Sequence, residues 1–201
     1  MNLRKYFIMG SQNCNYTPED VLEKAAQAGI TAFQFREKGE GSLTGQDKLA
    51  LGRRLRDICT RYNVLFFVND DIDLVERLGA DGIHVGQDDM RLKEVRKMFP
   101  DKIIGLSVSS QTEVENSSIE LADYLGAGSV FATSSKDDAE QAVGTKWIKT
   151  LKRQFPDMPI VGIGGITEKN AASVINAGAD GVAVISAITK ADNVEVTVQN
   201  L

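Results

Sequence analysis

The sequence predicts a (β/α)8 TIM barrel with a short or missing eighth helix, and three observations carry that prediction. Short apolar runs alternate with segments of helical period along the chain, giving eight strands and at least seven helices in 201 residues, near the lower size limit for such barrels. The stretch from Pro159 to Ile188 reads as a complete strand, loop, helix and strand, its strands parallel and buried on both faces. The chain also echoes itself: Leu78-Gly79-Ala80-Asp81-Gly82-Ile83-His84-Val85 resembles Ala177-Gly178-Ala179-Asp180-Gly181-Val182-Ala183-Val184. An open doubly wound sheet is the rival architecture, and it lacks a GxGxxG at the first strand turn.

Strand 1 is expected from Lys5 to Met9, and a helix opens at Thr17-Pro18-Glu19-Asp20, with Thr17 as N-cap and Pro18 in the first turn. Gly29 ends it. Strand 2 runs from Ala32 to Arg36, its helix from Thr44 to Tyr62, and strand 3 from Val64 to Asn69. A short helix from Ile72 to Leu78 leads to strand 4 at Gly82 to Val85, then a helix from Met90 to Phe99 closed by Pro100. Strand 5 covers Ile103 to Val108, a helix Thr112 to Leu121, and strand 6 Tyr124 to Gly126. The Gly-, Ser- and Thr-rich segment from Ala127 to Val143 is too long for a plain connection and reads as a functional loop. A helix from Thr145 to Phe155 returns the chain to strand 7, Ile160 to Ile163, whose helix is expected to begin near Thr167 with Glu168 in its first turn. Strand 8, Gly181 to Ile185, is followed by a tail of only 15 residues after Ser186, leaving a thin flank open to homo-oligomer contact.

A composition of 42% hydrophobic and 25% charged residues suits one domain spanning 1–201. No apolar run reaches about 18 residues and no basic region precedes a short apolar stretch, so a cytoplasmic protein without membrane partners is expected. Cys14 and Cys59 show no zinc-type spacing and read as free thiols. With a net charge of −5 and no basic stripe, nucleic acid is not expected as a partner, and an anionic ligand needs a local cluster of positive charge. His84 is the only histidine, which excludes a His-rich metal site.

Four groups of residues carry candidate chemistry. In Phe33-Gln34-Phe35-Arg36-Glu37-Lys38, period 2 puts the phenylalanines on one face and Gln34, Arg36 and Lys38 on the other. In a barrel the first face meets the helices and the second climbs the inner wall to the mouth, where two cations suit a diphosphate; a half-exposed strand with a solvated polar face is the plainer reading. Strand 3 ends at Asn69-Asp70-Asp71 and the loop after strand 4 reads Gln87-Asp88-Asp89, so carboxylates from adjacent strand ends can meet as Mg2+ ligands or serve only as turn residues. Gly164-Gly165 lets backbone approach an anion, and the N–H groups of Gly165, Ile185 and Ser186 could face a phosphate there. Ser107, Thr133, Ser135 and Lys136 could reach phosphate oxygens, although a Ser- and Thr-rich loop is often no more than a loop. His84 reads as a satisfied barrel-interior residue.

Five ordered motifs resemble thiamine phosphate synthases over nearly the whole chain: Gln34-Phe35-Arg36-Glu37-Lys38, Asn69-Asp70-Asp71, Gly82 to Asp89, Gly105-Leu106-Ser107, and Val161 to Ile166 with Ala179-Asp180-Gly181-Val182. The resemblance implies a barrel transferase of thiamine biosynthesis. Such an enzyme joins 4-amino-2-methyl-5-hydroxymethylpyrimidine diphosphate to 4-methyl-5-(2-hydroxyethyl)thiazole phosphate, releasing diphosphate through a carbocation. It implies Gln34 and Asn69 at the aminopyrimidine; Arg36, Lys38 and Lys136 on the diphosphate; and Asp70 and Asp89 on Mg2+. Ser107 would face the reacting diphosphate oxygens, Thr133 and Ser135 the thiazole phosphate side, and Gly165, Ile185 and Ser186 would grip the thiazole phosphate. Two positions depart from the family pattern. Gly128 to Thr133 lacks both prolines of the usual Gly-Pro-x-x-Pro-Thr, which leaves that loop less constrained, and Ser109 stands where a histidine is usual. Related thiazole tautomerases rely on that histidine, so Ser109 argues against their activity; a non-catalytic ligand-binding paralogue is the other alternative.

Overall fold

The protein is described by a computed structural model covering residues 1–133 and 142–201. Eight strands close into a barrel: β1 (Lys5–Met9), β2 (Ala32–Phe35), β3 (Leu65–Asn69), β4 (Gly82–Val85), β5 (Ile103–Val108), β6 (Tyr124–Ala127), β7 (Ile160–Ile163) and β8 (Gly181–Val184). All neighbours are parallel, and the ring closes where Phe7 of β1 pairs in register with Val184 of β8.

The helices are α1 (Pro18–Gln27), α2 (Gly45–Arg61), α3 (Ile72–Arg77), α4 (Leu92–Met98), α5 (Gln111–Asn116), α6 (Thr145–Gln154), α7 (Ala171–Asn176), α8 (Ser186–Thr189) and α9 (Val194–Gln199). Thr17 caps α1, its Oγ1 accepting from Asp20 N, with Pro18 at the first helical position. The expected helix from Thr112 to Leu121 is instead broken: α5 stops where Ser117 turns extended, and a separate 3-10 turn covers Ile119–Leu121. The helix expected near Thr167 starts later, at Ala171. Asn170 Oδ1 accepts from Thr167 N at 2.8 Å while its Nδ2 donates to Gly165 O at 3.0 Å, which holds residues 166–170 as a turn. The eighth helix, expected to be short or missing, is present as α8 and α9, two brief pieces. Lys5 Nζ donates to Val198 O at 2.6 Å, placing a cation on the last carbonyls of α9 and tying it to β1.

Strand alternation divides the apolar residues into two layers. Phe7, Phe33, Phe35 and Phe66 face the helices together with Leu22, Leu51 and Leu55. Tyr6, Ile8, Phe67, Tyr124, Val161 and Ala183 fill the barrel. Each fully buried large side chain contributes roughly 1.5–3 kcal/mol, so the phenylalanine alternation is what fixes the register of β2.

At the floor, an aspartate just before each of β4, β6 and β8 repeats one arrangement. Asp81 Oδ2 accepts from Phe66 N at 2.7 Å and pairs with Arg56 of α2. Asp123 Oδ2 accepts from Ile104 N at 2.7 Å and pairs with Arg96 of α4. Asp180 Oδ2 accepts from Ile160 N at 2.9 Å and pairs with Lys152 of α6. The echo between residues 78–85 and 177–184 is thus a shared structural device, with a third copy whose surrounding sequence hides it.

Candidate functional site

The carboxyl ends of the strands surround a cavity of about 200 Å3. Its walls include Arg36 and Lys38 after β2, Asn69 at the end of β3, Asp89 after β4, Ser107 of β5, and the turn at Gly164-Gly165 after β7.

The segment after β2 is held from behind. Glu37 is 4% exposed and points away from its neighbours, accepting from Ser11 N at 2.8 Å, Ser11 Oγ at 2.5 Å and Leu43 N at 2.6 Å. Gln12 Nε2 donates to the carbonyls of Arg36 at 3.1 Å and Lys38 at 2.8 Å. The loop after β1 therefore fixes the backbone on which both cations stand.

Opposite, the acidic residues divide into two roles. Asp71 pairs with Lys48 of α2 at 2.7 Å, outside the mouth. Asp70 adopts a φ of 50°, a left-handed conformation that Asp tolerates better than most residues, and its Oδ2 lies 2.5 Å from Lys38 Nζ. Asp89 Oδ1 lies 3.6 Å from the same Nζ, while its Oδ2 accepts from Gly86 N at 2.7 Å. The Asp70 hydrogen bond, against partial burial, raises the Lys38 ammonium above its ordinary pKa, so Lys38 stays charged.

On the far wall, Gly164 and Gly165 have φ of 99° and 63°. A Cβ at Gly165 would come within 2.5 Å of Ala132 O, so only glycine admits this approach of the loop after β6. That loop is pinned where it is described: Val130 N donates to Ile163 O at 2.8 Å and Phe131 N to Gly164 O at 3.0 Å. Gly165, Ile185, Ser186 and Thr133 all line the cavity.

The structure thus brings Arg36, Lys38, Asn69, Asp89, Ser107, Thr133, Gly165, Ile185 and Ser186 to one cavity, with Asp70 joined to it through Lys38. Gln34 is 1% exposed and not part of the cavity wall; it lies inside the barrel, its Nε2 donating to Tyr6 Oη at 3.0 Å and its Oε1 unpartnered among the described residues. Ser135 and Lys136 lie outside the described residues. His84 is satisfied as expected, by Tyr124 Oη at 2.9 Å and Ser107 Oγ at 2.8 Å, yet it also touches the cavity.

Comparison with known proteins assigns this architecture. A family model described as thiamine monophosphate synthase matches residues 5–188. Thiamine-phosphate synthase of Oceanobacillus iheyensis is 55% identical over 199 residues, covering 99% of this chain and 97% of that protein. Thiamine-phosphate synthase 1 of Streptococcus pneumoniae is 48% identical over 203 residues, covering 99% and 96%. The solved structure of thiamine phosphate pyrophosphorylase from Pyrococcus furiosus superposes with a TM-score of 0.88 at 33% identity, covering 99% of this chain and 93% of that one. The chain belongs to the thiamine monophosphate synthase family.

Whether this thiamine monophosphate synthase family member suits Mg2+ follows from its donor set. Asp70 Oδ2 and Asp89 Oδ1 converge on one ammonium, so the fold already places positive charge between two carboxylates. Mg2+ commonly takes one or two carboxylates and completes its shell with water and phosphate oxygens. Asp70 and Asp89 match that two-carboxylate donor set, and among the described residues no group of three or more His, Cys, Asp or Glu could hold a metal.

Sequence reading missed three supporting residues in this family member. Glu37 carried a signal, since the alternation that turns Arg36 and Lys38 inward turns Glu37 away from them. Lys48 and Glu113 carried none. Glu113 accepts from Ser109 N at 2.8 Å and Ser109 Oγ at 2.5 Å, so the departure at Ser109 is absorbed by a local carboxylate clamp.

Proposed function

We propose that the protein is a thiamine phosphate synthase that condenses 4-amino-2-methyl-5-hydroxymethylpyrimidine diphosphate with 4-methyl-5-(2-hydroxyethyl)thiazole phosphate and releases diphosphate. The observation that supports this most is a single cavity lined by Arg36, Lys38 and Asp89, with Lys38 paired to Asp70 and Asp89 and the glycine turn at Gly164-Gly165 on another wall. Family membership supplies the reaction; the cavity offers a cationic place for a diphosphate and a backbone-lined place for a monophosphate.

Arg36 and Lys38 bind the donor diphosphate, with Lys136 as the third cation, and Ser107 donates its hydroxyl hydrogen to a diphosphate oxygen. Asn69 takes the aminopyrimidine, and Gln34 takes it from beneath through the amide oxygen that has no partner among the described residues. The N–H groups of Gly165, Ile185 and Ser186 hold the acceptor phosphate, with Thr133 and Ser135 beside it. Asp70 and Asp89 would hold Mg2+, which would supply neutralisation of charge on the departing diphosphate.

The bond from the pyrimidine methylene to oxygen breaks with its electron pair leaving on diphosphate, and the amino group of the ring delocalises the resulting cation. The thiazole nitrogen lone pair then forms the new carbon–nitrogen bond. No strong general base is required, which places the catalytic burden on preorganised charge. Such an enzyme works in the cytoplasm; free thiols at Cys14 and Cys59 suit a reducing compartment.

The test is incubation of purified protein with both substrates and Mg2+, following thiamine phosphate. Product formation is expected only when all three are present. Tight binding of both substrates with no product would overturn the proposal in favour of a ligand-binding paralogue.

A further inference from the structure

Inside the barrel, from beneath the cavity up to its wall, five side chains form one unbroken chain of hydrogen bonds. Gln34 Nε2 donates to Tyr6 Oη at 3.0 Å, Tyr6 Oη and Tyr124 Oη are 2.8 Å apart, Tyr124 Oη is 2.9 Å from His84 Nδ1, and His84 Nε2 is 2.8 Å from Ser107 Oγ. The five come from β2, β1, β6, β4 and β5. Room for the rings is made by glycine: a Cβ at Gly105 would sit 2.2 Å from Tyr124 Cζ and 2.5 Å from His84 Nδ1.

Each of these contacts needs one hydrogen between its two heavy atoms, and a buried hydroxyl hydrogen needs an acceptor, which ties the direction of one bond to the next. Because the Gln34 amide donates to Tyr6, the Tyr6 hydroxyl hydrogen is left for Tyr124. Tyr124 then donates to His84 Nδ1. The imidazole must carry its hydrogen on Nε2 and donate to Ser107 Oγ, which leaves the Ser107 hydroxyl hydrogen for the cavity that Ser107 lines. Burial pushes both phenols above their ordinary pKa, so both keep the hydrogens that the chain requires.

We propose that Tyr124, with Tyr6 behind it, is a positioning residue for the transferase reaction: it fixes the His84 tautomer and thereby presents Ser107 as a hydrogen-bond donor to the departing diphosphate. The inference rests on the function proposed above for the role of Ser107, while the tautomer itself does not. In the opposite direction, with hydrogen on Nδ1, Nε2 would accept from Ser107 and the serine would turn only lone pairs to an anion. The relay also links Gln34, beneath the proposed pyrimidine site, to Ser107 on the leaving-group side.

His84 is the sole histidine, so long-range 1H–15N spectra of the imidazole contain one ring and need no assignment. In substrate-free protein at mildly alkaline pH, the protonated-nitrogen shift is expected at Nε2, which couples to both ring C–H protons, and the bare-nitrogen shift at Nδ1. Tyr124→Phe keeps the ring volume and removes the donor to Nδ1. The two nitrogen shifts are then expected to move toward each other as the tautomers mix, with kcat lowered by about 10-fold and KM for the thiazole phosphate unchanged. Tyr6→Phe leaves the Tyr124–His84 bond in place and is expected to keep hydrogen on Nε2. Hydrogen on Nδ1 in the unsubstituted protein overturns the proposal, whatever the variants do, and so does a Tyr124→Phe protein with unchanged shifts and unchanged kcat. Absence of turnover in the unsubstituted protein counts against the proposed function alone, because the spectra are recorded without substrate.

Discussion

Replacing Glu37 by glutamine changes one atom's chemistry at the point where two loops are tied to the cation-bearing segment. The carboxylate accepts three hydrogen bonds, two of them from backbone N–H groups, at 4% exposure. A glutamine can keep its oxygen on Leu43 N and Ser11 Oγ, but its NH2 then meets Ser11 N–H donor to donor. One charge-assisted bond is lost, worth about 1.5–3 kcal/mol, and a shielded N–H is left unpaired at a further ~1–3 kcal/mol. Relaxation recovers part of this, so a net loss of about 3 kcal/mol is expected. At roughly 2–4 °C per kcal/mol for a domain of this size, Tm falls by about 6–12 °C. Freed from Ser11, the loop after β1 also loosens the Gln12 bonds to the carbonyls of Arg36 and Lys38. The expected kinetic result is kcat/KM for the pyrimidine diphosphate lowered about 10-fold, with KM for the thiazole phosphate little changed. Urea denaturation and steady-state kinetics on Glu37→Gln measure both. A stability change below about 0.5 kcal/mol with unchanged kinetics refutes the reasoning, since a solvated surface carboxylate would behave that way.

Asp70→Asn and Asp89→Asn are each expected to raise the Mg2+ concentration for half-maximal rate by about 10-fold or more, whereas Asp71→Asn, which removes only the partner of Lys48, leaves it unchanged; a Mg2+ titration of the three variants decides, and an Asp71 effect as large as the Asp70 effect would reassign the ligand. Burial, with Glu37 and Glu19 nearby, pushes the Cys14 thiol from 9.0 up to about 11, and burial pushes Cys59 up to about 12. A raised thiol pKa means less thiolate at a given pH, so Cys14 should react with iodoacetamide about 100-fold more slowly than a free thiol at mildly alkaline pH, and Cys59 only on unfolding. Labelling of Cys59 in the folded protein at the rate of Cys14 would contradict that ordering.

The strands, and the face each side chain takes, were legible because period 2 is a local property. The Phe33 and Phe35 alternation placed Arg36 and Lys38 at the mouth. What stayed hidden was set by partners distant in sequence. Which of Asp70 and Asp71 turns inward depends on Lys48 in the next helix and on a left-handed φ at Asp70, neither of which the Asn69-Asp70-Asp71 triplet announces. Gln34 shares the face of Arg36 and Lys38 but sits deeper in the barrel, where its first neighbour is Tyr6 rather than the cavity. The late start of α7 has a similar cause: Asn170 reaches back to Gly165 and Thr167, a side-chain choice that competes with helix and leaves no mark in hydrophobic periodicity.

The aspartates before β4, β6 and β8 bear on how the barrel comes together. Each bonds a strand amide 15 to 20 residues before it and a helix side chain 25 to 28 residues before it, so each quarter-turn of two strands carries its own latch and can close before the ring does. The β1–β2 quarter uses Thr31 Oγ1 and Lys5 N in the same place, at 3.1 Å and without a charge. Hydrogen exchange should therefore protect the amides of Phe66, Ile104 and Ile160 together with their own hairpin-sized quarters, and the seam between β8 and β1, which joins the two ends of the sequence, should be the place where the cylinder opens first.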